Sequence, residues 1–150
     1  MYRIVSKEYL NPTVVSMDIK APAVAKRARA GQFIILRVDS EGERIPLTVA
    51  GYDREGGTVR IIFQTVGAST MQLAAKAQGE YIADFVGPLG KPTEVEGIAR
   101  ALVVGGGVGC AIALPVVQAL HENGCSVQAI AGFRNRDLVI LEQEFAAASD

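Results

Sequence analysis

An antiparallel, six-stranded Greek-key β-barrel followed by the opening of a parallel α/β sheet is the architecture this sequence predicts. Three observations carry it. Residues 1–86 run mostly as short apolar stretches, some strictly alternating with polar residues, separated by turn residues, which is the grammar of strands. From residue 99 onward the chain instead reads strand, glycine loop, helix, strand, helix. Between the two, "GPLGKP" (87–92) interrupts both patterns, and the expected division is a barrel over 1–97 and an α/β part over 98–150.

The elements follow in order. In "TVVSMDIK", Val15, Met17 and Ile19 alternate with Ser16, Asp18 and Lys20, so one face is buried and the other is not. "GQFIILRVD" (31–39), "IPLTVA" (45–50), "TVRIIFQT" (58–65) and "EYIADF" (80–85) continue as strands. Turn chemistry separates them at "NP" (11–12), "SEGE" (40–43) and "DREGG" (53–57), and one short helix is expected over 68–77. In the second part, "ARALVV" reads as a buried strand and "CAIALPVVQALHEN" as a helix with Gly124 as its C-terminal cap. "CSVQAIAG" is a second strand and "DLVILEQEFAAA" a second helix, with Asp137 as its N-cap. This is the start of a doubly wound, Rossmann-like sheet, and an incomplete one, because nucleotide-binding domains of this kind use several more strands.

Composition narrows the function classes. About half of the residues, 49%, are hydrophobic, which supports a packed core and excludes disorder. A net charge of −1 offers no footprint for nucleic acid or an anionic membrane. The start "MYRIVSKEYL" lacks the regions of a signal peptide, and glycines and Pro115 break the apolar stretch 101–120, so no membrane span is expected. Two cysteines, Cys110 and Cys125, without metal-ligand spacing suggest a reducing compartment, and no metal site is expected. A cytoplasmic location is the expectation.

Two stretches carry candidate chemistry. In "LVVGGGVGC" a strand runs into Gly105, Gly106, Gly107 and Gly109, where backbone amides and a helix dipole favour a pyrophosphate. The spacing departs from the common dinucleotide fingerprint, because Cys110 stands where a third glycine belongs. No acidic residue ends the second strand; "GFRNR" offers Arg134 and Arg136 instead. The second stretch, "QTVGASTMQL", places Gly67, Ser69 and Thr70 at a helix start that suits a phosphate. Upstream, "ERIPLT" sets Arg44 and Thr48 around Pro46, which donates no ladder hydrogen bond and so suits an edge or bulge. Taken singly, these features also read as a tight turn, a helix cap and a solvated arginine. His121 reads as a cation on a helix C-terminal dipole, and Cys125 as core.

The ordered set R-x-x-L-T, V-G-x-S-T, "GPLG" and G-G-G-x-G resembles the ferredoxin–NADP reductase superfamily from Tyr2 to about Ala147. Within it, the chain looks most like the FAD- and NAD(P)-binding small subunit of NADH-dependent ferredoxin:NADP oxidoreductases, also called sulfide dehydrogenases. The electron-transfer subunit of dihydroorotate dehydrogenase is a relative. The resemblance implies FAD lying along Arg44, Ile45, Pro46, Leu47 and Thr48, with Thr48 as the catalytic residue beside flavin N5. Arg44 stands one position before the usual family arginine, where this chain has Ile45. Ile62, Phe63 and Gln64 would pass the flavin and ribityl chain, and Gly67, Ser69 and Thr70 would hold phosphates. Gly105, Gly106, Gly107, Val108 and Gly109 match the NAD(P) pyrophosphate loop. Cys110 would lie near the nicotinamide, and Arg134 near the ribose or a 2′-phosphate.

The implied activity is flavin-dependent electron transfer between NAD(P)H and an iron–sulfur partner. The implied partners are a larger flavin/iron–sulfur subunit and ferredoxin or another carrier. Longer family members carry a [2Fe–2S] cluster, which needs four ligands. Two cysteines cannot supply them, so a cluster is expected only in a longer chain, and the end after "EQEFAAASD" reads as an incomplete one. Two other readings stay open: a dihydroorotate dehydrogenase electron-transfer subunit, and a non-catalytic flavin- or nucleotide-binding module.

Overall fold

The computed structural model describes residues 1–150. Its first part is one antiparallel sheet built from β1 (Tyr2–Asn11), β2 (Val14–Lys20), β3 (Phe33–Arg37), β4 (Arg44–Asp53), β5 (Thr58–Gln64), β6 (Tyr81–Ile82) and β7 (Asp84–Leu89). The order across the sheet is β6-β1-β2-β5-β4-β3-β7. Seven segments stand where six strands were expected, because the sixth is broken at Ala83. Its first half pairs with β1 through Tyr2↔Ile82, and its second with β3 through Leu36↔Phe85. The Ala83 amide donates to the Arg37 carbonyl at 3.0 Å, which ties the break to the β3 edge. One run of chain thus seals both outer strands and closes the barrel, removing two sticky edges.

Alternation explains the interior. Val15, Met17, Ile19, Ile34, Leu36, Val59 and Ile61 fill the barrel with Leu73 of α2 (Ala68–Ala75). A short helix absent from the sequence reading, α1 (Pro22–Arg27), opens on a proline and buries Val24 and Ala25 against the same core. The Arg54 guanidinium caps its far end by donating to the carbonyls of Ala25 and Ala28 at 2.9 and 3.0 Å.

The second part pairs β8 (Arg100–Gly106) with β9 (Ser126–Gly132) in parallel, from Arg100↔Ser126 to Gly106↔Gly132. Helix α3 (Cys110–Glu122) covers one face and ends as expected at Gly124, whose φ of +80° requires glycine. The final helix differs from the expectation. Asp137 caps nothing: Asn135 accepts from the Asp137 amide at 3.0 Å over a single 3₁₀ turn, and α4 spans only Glu142–Ala148. Between them the chain is drawn inward to bury Ile140 and Leu141, and Leu141 adopts a left-handed φ of 61° to re-enter a helix. Tertiary burial overrides local helix continuity there.

A second apolar cluster joins the two parts. Val14, Ala50 and Ile62 from the outside of the barrel pack with Cys110, Leu114 and Val117 of α3 and with Leu141 and Phe145. This is why β2 is buried on both faces. The opposite face of the β8–β9 pair is uncovered: Leu102, Val104 and Ile130 are 59%, 65% and 54% exposed. No helix is long and apolar enough to cross a membrane.

Near this junction Arg60 grips Asp18 with two hydrogen bonds, 2.9 and 3.0 Å, and Ser6 donates a third at 2.8 Å. Burial raises the Asp18 pKa, but the hydrogen bonds from Arg60 and Ser6 and the Arg60 charge outweigh it and hold the carboxyl below its ordinary value. A depressed folded pKa contributes stability that is present above the ordinary carboxylate value, about 3.9, and is lost as pH falls through the lower folded one. Asp18→Asn should therefore lower stability at neutral pH and flatten the acid limb of a denaturation profile. Leu114→Ala should cost about 2–4 kcal/mol in urea unfolding and loosen both parts together, since its cluster spans them.

Candidate functional site

The site begins with a divergence of two barrel strands. β4 pairs with β5 from Val49↔Ile61 to Asp53↔Thr58, with an irregularity between Val49 and Gly51. Its first half, Arg44 to Thr48, pairs with β3 alone. Residues Ile62, Phe63 and Gln64 of β5 pair with β2 alone. The two strands therefore part beyond Val49 and Ile61, leaving a notch edged by Arg44–Thr48 on one side and Ile62–Gln64 on the other. Helix α2 starts at the end of β5, so Gly67, Ser69 and Thr70 close the same notch. The Val49 amide donates to the Gln32 carbonyl at 3.0 Å, toward β3. Strand alternation then turns the Thr48 amide toward the notch, along with the donor-free nitrogen of Pro46.

Within these segments the side chains divide. Ile45 and Leu47 pack against the barrel core and Phe63 lies inside it, so these three offer the notch only their backbone. Ile62 packs outward against the α3 cluster. Pro46 and Gln64 are exposed and Thr48 is half-buried. Arg44 is exposed and bonds Asp84 at 3.4 Å, a carboxylate already held by Arg37 at 2.7 Å. Thr70 is occupied: its hydroxyl accepts from the amides of Val66 and Gly67 and donates to the Gly67 carbonyl, each at 3.0 Å. That is a helix cap using all three of its hydrogen-bonding positions. The first-turn amides of Ala68, Ser69 and Thr70 have no acceptor within the helix. Ser69 donates to Glu43, and Gln72 to Asp39, two contacts that no motif signalled.

The glycine loop divides in the same way. A side chain at Gly105 would meet Cys110 and Ala113 at 3.1–3.3 Å, so glycine lets β8 approach α3. Gly107 has a φ of +56°, which disfavours any other residue. Gly106, Gly107 and Gly109 face open space, as does Gly67. Cys110 is fully buried, its amide donates back to Gly107, and burial pushes its thiol pKa up despite a hydrogen bond from the Gly132 backbone. It packs beneath the loop in the second apolar cluster. Val108 packs against the cluster containing Ile62, and the loop's 3₁₀ turn lies against β5, so the loop and the notch share one side of the molecule. Arg134 is exposed beyond the carboxyl end of β9, where Gly132 stands level with Gly106. His121 is exposed in the last turn of α3, and Cys125 is buried.

The barrel and the α/β part behind it together have a ferredoxin–NADP reductase-like fold. The comparisons agree with the resemblance read from the sequence, although no family model matches. Over 98% of its length the chain is 43% identical to a dihydroorotate dehydrogenase B electron transfer subunit homolog of Thermotoga maritima, covering 52% of it. It is 32% identical over 96% of its length to the electron transfer subunit of that enzyme from Streptococcus pneumoniae, covering 57% of it. A solved structure of NADH-dependent reduced ferredoxin-NADP oxidoreductase superposes with a TM-score of 0.96 at 39% identity, over 99% of this chain and 54% of that one. Phthalate dioxygenase reductase shares the fold at 17% identity, with a TM-score of 0.83 over 99% of this chain and 50% of that one. The chain thus spans about half the length of the relatives it matches.

The glycines make separable predictions. Gly105→Ala and Gly107→Ala should each cost about 1–2 kcal/mol in chemical denaturation, the first through crowding and the second through left-handed strain. Gly106→Ala should leave stability unchanged. Thr70→Ala should cost about 1 kcal/mol through the lost cap, with or without any ligand.

Proposed function

We propose that this chain is the FAD-holding portion of an NAD(P)H-dependent flavin electron-transfer subunit. The notch between β4 and β5 carries the reading. It gathers Arg44–Thr48, Ile62–Gln64 and Gly67–Thr70, three segments far apart in sequence, around an unpaired backbone edge. The residues fit a flavin dinucleotide. The edge suits a planar ring, and the open space over Gly67 and the acceptor-free amides of α2 suit phosphates, while Arg44, paired with Asp84, stands on the β4 side of the notch. Flavin bound there would supply exchange between a two-electron nicotinamide donor and one-electron carriers.

The protein's own part is positioning. Thr48 presents its amide at the edge where N5 would lie, and no side chain has to act as a strong acid or nucleophile. The barrel core behind Ile45, Leu47 and Phe63 excludes water from one side of the notch. Gly106, Gly107 and Gly109 offer a nicotinamide nucleotide close backbone approach, and Arg134 offers it a cation. The whole protein would work in the cytoplasm with a larger flavin/iron–sulfur subunit and ferredoxin or another carrier. Similarity to dihydroorotate dehydrogenase B electron transfer subunits favours a second acceptor, the catalytic subunit of such an enzyme.

Purified chain reconstituted with FAD should retain it through gel filtration. Gly67→Val fills the open space above α2 and should weaken retention about tenfold, equivalent to 1.4 kcal/mol. Equal retention in both proteins would count against the notch. NADH should bind the 150-residue chain only weakly, because nicotinamide nucleotides lie across several parallel strand ends and two are present. Calorimetry showing tight NADH or NADPH binding would contradict this.

A further inference from the structure

We propose that Glu43 is an internal anion that competes with a phosphate for Ser69 at the start of α2. The inference rests on the FAD reading above and concerns a competitor within that site. The Ser69 hydroxyl donates to Glu43 Oε1 at 2.5 Å. Thr70 is committed to its own cap, so Ser69 carries the hydroxyl at this helix start that a ligand could recruit. Glu43 has no cation of its own. Its neighbour Arg44 turns to Asp84, which Arg37 also holds. The carboxylate instead sits in the positive field of the α2 amides, the niche a phosphate would take.

The loop that carries Glu43 is built to release it. Its base is fixed: Arg37 donates to the Ser40 carbonyl at 2.9 Å, and the Gly42 amide donates to the Asp39 carbonyl at 3.2 Å. Gln72 of α2 also donates to Asp39. Glu43 lies beyond that closed turn, exposed and attached to α2 by the Ser69 contact alone. A phosphate and a carboxylate repel each other in one niche, so binding expels Glu43 and frees Ser69 together. Glu43 therefore lowers affinity for phosphate-bearing flavins and leaves a phosphate-free flavin indifferent.

The test titrates native, E43Q, S69A and E43Q/S69A chains with FAD and with riboflavin, following flavin fluorescence. E43Q should bind FAD about fivefold more tightly, the scale of one exposed charge at a helix N-terminus. Riboflavin affinity should not change, and the E43Q gain should vanish in the S69A background. If the native chain binds FAD but E43Q binds it equally or more weakly, the role given to Glu43 is overturned. An equal gain for riboflavin, or a gain that persists without Ser69, overturns it as well. If no variant binds FAD, the flavin reading itself falls.

Discussion

The parting of β4 from β5 beyond Val49 and Ile61 is the constraint on which the proposed site depends. A barrel buries its backbone polar groups by pairing every strand on both sides. Here β6 seals β1 and β7 seals β3, while the first half of β4 is left unpaired toward β5. An exposed strand edge of this kind invites another chain. Pro46 withholds one donor from it, and the extra residue between Val49 and Gly51 turns the strand away from its partner. Both features discourage a further strand from pairing there.

The second constraint is apolar. The α/β part is held by Val14, Ala50 and Ile62 of the barrel against Cys110, Leu114 and Leu141, as well as by its linker. The linker itself is pinned, with the Thr93 amide donating to the Ala30 carbonyl at 2.9 Å and Gln32 to the Gly90 carbonyl at 2.9 Å. Ile62 belongs both to this cluster and to the strand that borders the notch. The distance between glycine loop and notch is therefore set by side-chain packing rather than by a hinge. Cys110 serves that arrangement as a small buried residue, and burial pushes its thiol pKa up.

Much of this was legible in the sequence because it rests on local pattern. Alternation in "TVVSMDIK" and "TVRIIFQT" reveals the strands, and the run of glycines after "LVV" reveals the loop. Pro46 was readable as an edge residue because a missing donor is a local property. What escaped depends on partners distant in the chain. The break at Ala83 follows from closure onto two different strands. The shortened last helix follows from burial of Ile140 and Leu141, and Phe63 turns inward through barrel register. The pairings of Arg44 with Asp84 and Ser69 with Glu43 join exposed polar residues 40 and 26 positions apart, where no periodicity exists to read.

In the proposed reading, the open β4 edge and the α2 start form one ligand surface. Amide hydrogen exchange with and without FAD tests it most directly. Added protection is expected at Thr48 and at Ala68, Ser69 and Thr70 together, with β1 and the core of β2 unchanged. Protection confined to the glycine loop, or spread evenly over the barrel, would contradict it.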